Sequence, residues 1–197
     1  MYKIAITGKA NTGKNTVSHI ITEELNKEIK NYSKFKTIAF ADPIKEMVRQ
    51  MFPTLPKEYL YGSSENRAKV IPGAFKNGQP LTVRQLLIDL GTGVGREYKE
   101  NLWLDVFDHT FKIAKSKKRE VVIVTDVRFR NEFDHLKKLG FFQIRILRDS
   151  HAKINHSSET NQDSIKDEEF DAVIHNNGSL DELTDKIMQI IPKIKAA

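Results

Sequence analysis

The stretch "GKANTGKNT", Gly8 to Thr16, constrains this chain more than any other. Gly8, Gly13 and Lys14 match the G-x-x-x-x-G-K spacing of a phosphate-cradling loop, a pattern that next asks for Ser or Thr where this chain has Asn15. The context is the one such a loop requires. "KIAITG" from Lys3 reads as a buried strand, and Val17, Ile20, Ile21, Leu25 and Ile29 mark one face of a helix directly behind the loop. Glycines let backbone N–H groups turn inward, the helix N-terminus adds partial positive charge, and Lys14 can reach the terminal phosphates. Gly8, Asn11, Gly13, Lys14, Asn15 and Thr16 are therefore the candidates around a bound triphosphate. The hydroxyl that meets magnesium normally follows the lysine at once, and here it comes one place later, at Thr16.

Further short apolar runs, "KTIAFA" from Lys36, "VVIVTD" from Val121 and "FQIRILR" from Phe142, read as buried parallel strands, and "DAVIHN" from Asp171 adds a shorter fifth. Phe133, Leu136 and Leu139 mark a helix that stops at Gly140, and Leu180, Leu183, Ile187, Ile190 and Ile191 mark the last one. This alternation predicts an α/β fold, a parallel sheet covered by helices on both faces. The stretch Pro53 to Pro80 breaks the rhythm and has the Pro- and Gly-rich composition of surface loops. Helical patterns at "TVRQLLIDLG" and "NLWLDVFDHTFKIAK" follow, so residues 42–117 read as a helical insertion within a single domain spanning 1–197. "LGTGVGREY" has alternate glycines without dinucleotide-loop spacing and reads as a helix end that presents Arg96.

A net charge of +6, from 32 Lys and Arg against 26 Asp and Glu, favours anionic partners, nucleotides and nucleic acids alike. The basic run "KSKKRE" reads better as a solvated turn than as a nucleic-acid patch. The absence of cysteine rules out thiolate metal sites and disulfides. No signal-peptide layout and no membrane-length apolar run appear, which reads as a cytoplasmic protein with no membrane partner.

"VVIVTDVRFRNE" is the second strong constellation. Asp126 ends a buried strand, where open parallel sheets place their ligands, and could hold magnesium, orient an arginine or cap a helix. Val127 stands where a hydrolytic ATPase usually has Glu, which favours transfer to a bound acceptor over hydrolysis. Arg128 carries a fork suited to phosphate, and Glu132, four residues on, could aim it or form a surface pair. Asp42 and Pro43 open a helix after the second strand. Arg84 lies off the apolar stripe of its helix, and Trp103 could stack on a base or pack in the core, with packing the commoner role. The segment 149–167 after the fourth strand reads as a lid that, with Arg148 just before it, brings Lys153 over the phosphates, and His151 and His156 in it lack metal-site spacing. Ser179 caps the last helix.

The ordered set "GKxxxGKNT", "FADPIK", "TVRQLLIDLGTGVGRE", Trp103, "TDVRFRNE", "HSSE" and "VIHNNGSLDEL" resembles the phage deoxynucleoside monophosphate kinases along nearly the whole chain. Members of that family commonly have G-K-D-T where this chain has "GKNT", so a charge is missing at Asn15. Adenylate kinase-like enzymes similarly place a non-hydroxyl residue and then Thr after the lysine. The resemblance implies a P-loop kinase fold with five parallel strands in the order 2-3-1-4-5, an acceptor-binding insertion, a lid, and transfer from ATP to a deoxynucleoside monophosphate with Mg2+. It implies that Lys14 and Thr16 hold the ATP phosphates, that Arg84, Arg96 and Arg128 hold the acceptor phosphate, and that Asp126 and Glu132 orient them. Trp103 would line the base pocket, Asn176 to Gly178 would lie beside adenine, and homodimers are usual. A phosphomevalonate kinase-like enzyme shares several of these features, and a basic, nucleic-acid-binding P-loop ATPase is the rival from another class.

Overall fold

A computed structural model describes residues 1–149 and 161–197 of the chain, which divides into two compact units. The first, Met1–Ala39 with Phe107–Ala197, holds a five-stranded parallel sheet. Its strands are β1 (Tyr2–Thr7), β2 (Phe35–Ile38), β5 (Val121–Val127), β6 (Phe142–Leu147) and β7 (Ala172–His175), arranged β2-β5-β1-β6-β7. A separate hairpin of β3 (Val70–Lys76) and β4 (Gln79–Thr82) lies between β2 and β5 in the sequence. Counted among the sheet's own strands the order is 2-3-1-4-5, as the resemblance implied. In register, Ile4 pairs with Ile123 and Phe142, and Ile144 with Ala172.

The sheet is apolar on both faces, which explains the unbroken hydrophobic runs. Ile4, Ile6, Ile123, Ile144 and Ile146 pack with Val17, Ile21 and Leu25 of α1 (Lys14–Ile29) and with Leu183, Ile187, Ile191 and Ile194 of the C-terminal helix (Leu180–Ala196). The alternate residues Ala5, Val122 and Val124 point to the other face and are equally buried. From β1 the chain crosses through α1 towards one sheet edge, and from β5 through α8 (Arg130–Lys138) towards the other. With right-handed crossovers, opposite directions place the two helices on opposite faces. Phe133 and Leu136 of α8 are fully buried, as its spacing predicts. Leu180 is not part of the last helix's buried stripe: it is 61% exposed at the first turn, beside the cap residue Ser179.

The second unit, Phe40–Val106, differs from the sequence reading in two places. The Pro53 to Pro80 stretch is no plain surface loop. It folds into α3 (Lys57–Tyr61), α4 (Ser64–Arg67) and a hairpin of β3 (Val70–Lys76) with β4 (Gln79–Thr82). Asn77 and Gly78 take φ of 50° and 76°, the double left-handed turn that joins hairpin strands, and both strands are edges that tolerate Pro72 and Pro80. The second difference concerns Leu90 to Tyr98. The helix does not end there: α5 (Val83–Ile88) widens into a π-helical stretch (Asp89–Val94) and continues as α6 (Gly95–Tyr98). Val48 of α2 (Asp42–Met51) joins Leu55, Leu60, Ile71, Val83 and Leu86 as this unit's core. The helix α7 (Leu102–Ser116) starts in the second unit and ends in the first.

Candidate active site

The loop from Gly8 to Gly13 runs between the end of β1 and the start of α1. Gly13 sits at φ 98°, a conformation that disfavours any side chain, and α1 has neither a capping side chain nor an acidic residue in its first turn. No capping or acidic side chain therefore competes with an anion at its first N–H groups, as such loops require. The loop is laced from within. The Lys14 ammonium donates to the Gly8 and Lys9 carbonyls at 2.6 and 2.7 Å, and the Thr12 hydroxyl donates to Lys9 at 2.9 Å. Asn11, Asn15 and Thr16 are exposed, with Asn11 in a left-handed conformation at φ 62°.

Beside this loop, the β1–β5 register slips between Ala5 and Thr7, so an additional residue is accommodated on β5 around Thr125 and Asp126. Such a bulge re-aims side chains at a strand end. Asp126 is half-buried there, and Arg128 follows one residue past the strand. Glu132 is no surface pair. It is 3% exposed, and its Oε2 accepts the backbone N–H groups of Arg128 at 2.8 Å and Phe129 at 3.1 Å, capping α8. The carboxylate therefore fixes the backbone that carries Arg128. Arg130 is engaged elsewhere, on Asp134 at 2.9 Å and Glu169 at 2.8 Å, carboxylates that hold its guanidinium above its ordinary pKa.

Beyond β6 and β7 lie residues that the sequence singled out and others, such as Lys9, Asp163 and Arg145, that it passed over. Lys9 pairs with Asp163 at 3.0 Å, tying the phosphate loop to the turn Asn161–Ser164. Arg145, only 9% exposed on β6, donates to the Ile165 carbonyl at 2.6 Å and pairs with Asp167 at 2.9 Å. Asn177 both accepts from the Asp149 N–H and donates to its carboxylate, at 2.9 and 2.8 Å. Asn176 is 7% exposed and donates to the Thr12 carbonyl at 2.8 Å, while Gly178 abuts Glu182. Arg148 is exposed just past β6. Most of the expected lid, with His151, Lys153 and His156, lies outside the described residues.

In the second unit, Asp42 occupies the first turn of α2 and takes Lys45 at 3.1 Å. Lys45 lies 5.0 Å over the ring of Tyr61, whose hydroxyl donates to Glu46. Burial, reinforced by that bond, pushes the Tyr61 phenol up to about 12. Arg84 donates to the Ser64 carbonyl at 2.9 Å, and Arg96 reaches the Glu100 carbonyl at 3.4 Å. Trp103 is 7% exposed, donates its indole N–H to the Gly91 carbonyl at 2.8 Å, and packs so tightly on Gly95 that a Cβ there would lie 2.5 Å from the ring. Of the two roles the sequence left open for it, the structure displays the packing role: Trp103 braces the π-helical stretch.

A parallel sheet ordered 2-3-1-4-5, with a glycine loop and lysine feeding α1 and an acidic strand end beside it, defines a P-loop kinase core. The family profile for deoxynucleotide monophosphate kinase matches residues 57–187, and the chain belongs to that family. A protein of Acanthamoeba polyphaga mimivirus that bears the family's name is 29% identical over 97% of this chain and 96% of its own. Among solved structures, the dephospho-CoA kinase of Campylobacter jejuni is similar with a TM-score of 0.45 and 13% identity, over 97% of this chain and 96% of its own. The chain is a nucleotide kinase, and its family membership does not favour the phosphomevalonate reading.

Proposed function

We propose that this kinase transfers the γ-phosphoryl group of ATP to the 5′-phosphate of a deoxynucleoside monophosphate. An oxygen of the acceptor phosphate forms a bond to Pγ while the bond from Pγ to the bridging oxygen breaks, and the electron pair leaves with ADP. Such a transfer asks the protein mainly for alignment and for neutralisation of charge. Lys14 and the N–H groups at the start of α1 hold the donor phosphates. Arg84, Arg96 and Arg128 are assigned to the acceptor phosphate, Arg128 on a backbone anchored by Glu132, and Asp42 to acceptor binding. Arg148 adds charge at the donor side. The observation that carries this reading is the family match over residues 57–187, and on the donor side it is supported by a lysine held within the loop at a helix start that has no capping side chain.

Thr16 and Asp126 are the side chains we assign to magnesium. Thr16 offers an exposed hydroxyl and Asp126 a carboxylate, and among the described residues no three His, Asp or Glu side chains converge as a cage. Magnesium suits such a sparse set, since it takes most of its ligands from phosphates and water. When bound it neutralises charge on the phosphates.

A coupled ADP-release assay with ATP and separate dAMP, dCMP, dGMP, dTMP and phosphomevalonate tests the reading. Stimulation by at least one deoxynucleotide and none by phosphomevalonate is expected, and Lys14→Ala should abolish it while melting normally. Release that no deoxynucleotide stimulates overturns the reading.

A further inference from the structure

The peptide bond between Thr12 and Gly13 is held from the edge strand of the sheet. Asn176, directly after β7, donates Nδ2–H to the Thr12 carbonyl at 2.8 Å across 164 positions of sequence. Its own backbone N–H donates to the Leu147 carbonyl at 2.7 Å, so the clamp is itself fixed to β6. A carbonyl only accepts, so the amide nitrogen must be the atom that faces it. The contact is close-fitting: a Cβ at Gly13 would lie 2.5 Å from Asn176 Nδ2. Thr12 is 3% exposed, so without this donor its carbonyl has no water to turn to.

In a trans peptide the C=O and the following N–H point in opposite directions. Holding the Thr12 carbonyl towards Asn176 therefore turns the Gly13 N–H away from β7, next to the first N–H groups of α1. We propose that Asn176 is a positioning residue that locks this peptide with its N–H offered to the triphosphate, and that it is not a contact to the adenine base. The inference rests on the kinase reading. If the lock is lost, the peptide can flip and present a carbonyl where the phosphates need a donor.

The two roles separate with a ligand that has no base. Binding of a non-hydrolysable ATP analogue, inorganic tripolyphosphate and the best deoxynucleoside monophosphate is measured by calorimetry for wild type, Asn176→Ala and the volume-preserving Asn176→Leu, both neutral, with thermal melting as the check on folding. The lock predicts that ATP analogue and tripolyphosphate both weaken, by about tenfold or more for one lost buried bond, while the monophosphate changes less than about twofold. It also predicts that the Gly13 amide resonance, shifted by tripolyphosphate in wild type, responds less in both variants. Weakening of the ATP analogue alone assigns Asn176 to the base and overturns the inference, as do variants that bind both ligands like wild type. A wild-type chain that binds neither overturns the kinase reading and the lock together.

Discussion

Neutralising Glu132 is the perturbation whose size the structure fixes best. One buried oxygen of Glu132 accepts two backbone N–H groups, at 2.8 and 3.1 Å, at the start of α8. Hydrogen bonds to a charged acceptor contribute roughly 1.5–3 kcal/mol each against about 0.5–1.5 for neutral pairs. Glu132→Gln keeps an oxygen in place for both donors and so loses about 1 kcal/mol per bond, about 2 in all. For a chain of this length that corresponds to a fall of roughly 4–8 °C in Tm. Glu132→Ala removes the acceptor from both part-buried donors and should cost roughly twice as much or more. Because the bonded backbone carries Arg128, kcat should fall in both variants while KM for ATP changes little. Scanning calorimetry beside steady-state kinetics reads both effects. A Glu132→Gln protein that melts with wild type and turns over at the wild-type rate refutes the anchoring role.

Asn15→Asp restores a charge at the exposed start of α1, and the magnesium titration of activity should shift; an unchanged titration makes position 15 a bystander. The Tyr61 phenol, held protonated up to about 12 by burial and the Glu46 bond, favours the folded chain fully below its ordinary value of 10.0. That contribution is lost as pH rises from there towards 12, so alkaline melting of wild type should fall off more steeply over this window than that of Tyr61→Phe; parallel curves would show the bond to be inert. The Thr7 hydroxyl is fully buried with no partner among the described residues, so Thr7→Val should leave stability equal or raise it by about 1 kcal/mol, read by denaturant titration. A clear loss would reveal a water bonded there.

The parts legible in the sequence were those governed by local pattern. Ile4, Val121 and Ile144 lie in runs too apolar and too short for anything but strands buried on both faces, and the order of those strands came from the family resemblance rather than from any local pattern. The hairpin was also written there, in Asn77-Gly78, but Pro72 and Pro80 on either side masked strands that as edges can tolerate proline. The alternate glycines at 91, 93 and 95 read as a helix end because nothing local reveals that Trp103 braces the stretch and that Gly95 is small to admit its ring. Glu132 was open between aiming Arg128 and a surface pair, because spacing reports which residues are neighbours and not which way they face. Asn176 and Arg145 were illegible as clamps for a related reason: their partners, Thr12 and the 162–167 segment, are joined to them only by the fold.

The central claim is that phosphate moves from ATP to a deoxynucleotide, and the fate of the label tests it most directly. With γ-labelled ATP, magnesium and each deoxynucleoside monophosphate in turn, chromatography of the products should place the label in the β-position of a deoxynucleoside diphosphate, in amounts equal to the ADP formed. Label that appears only as inorganic phosphate, or stays in ATP with every acceptor, would contradict it.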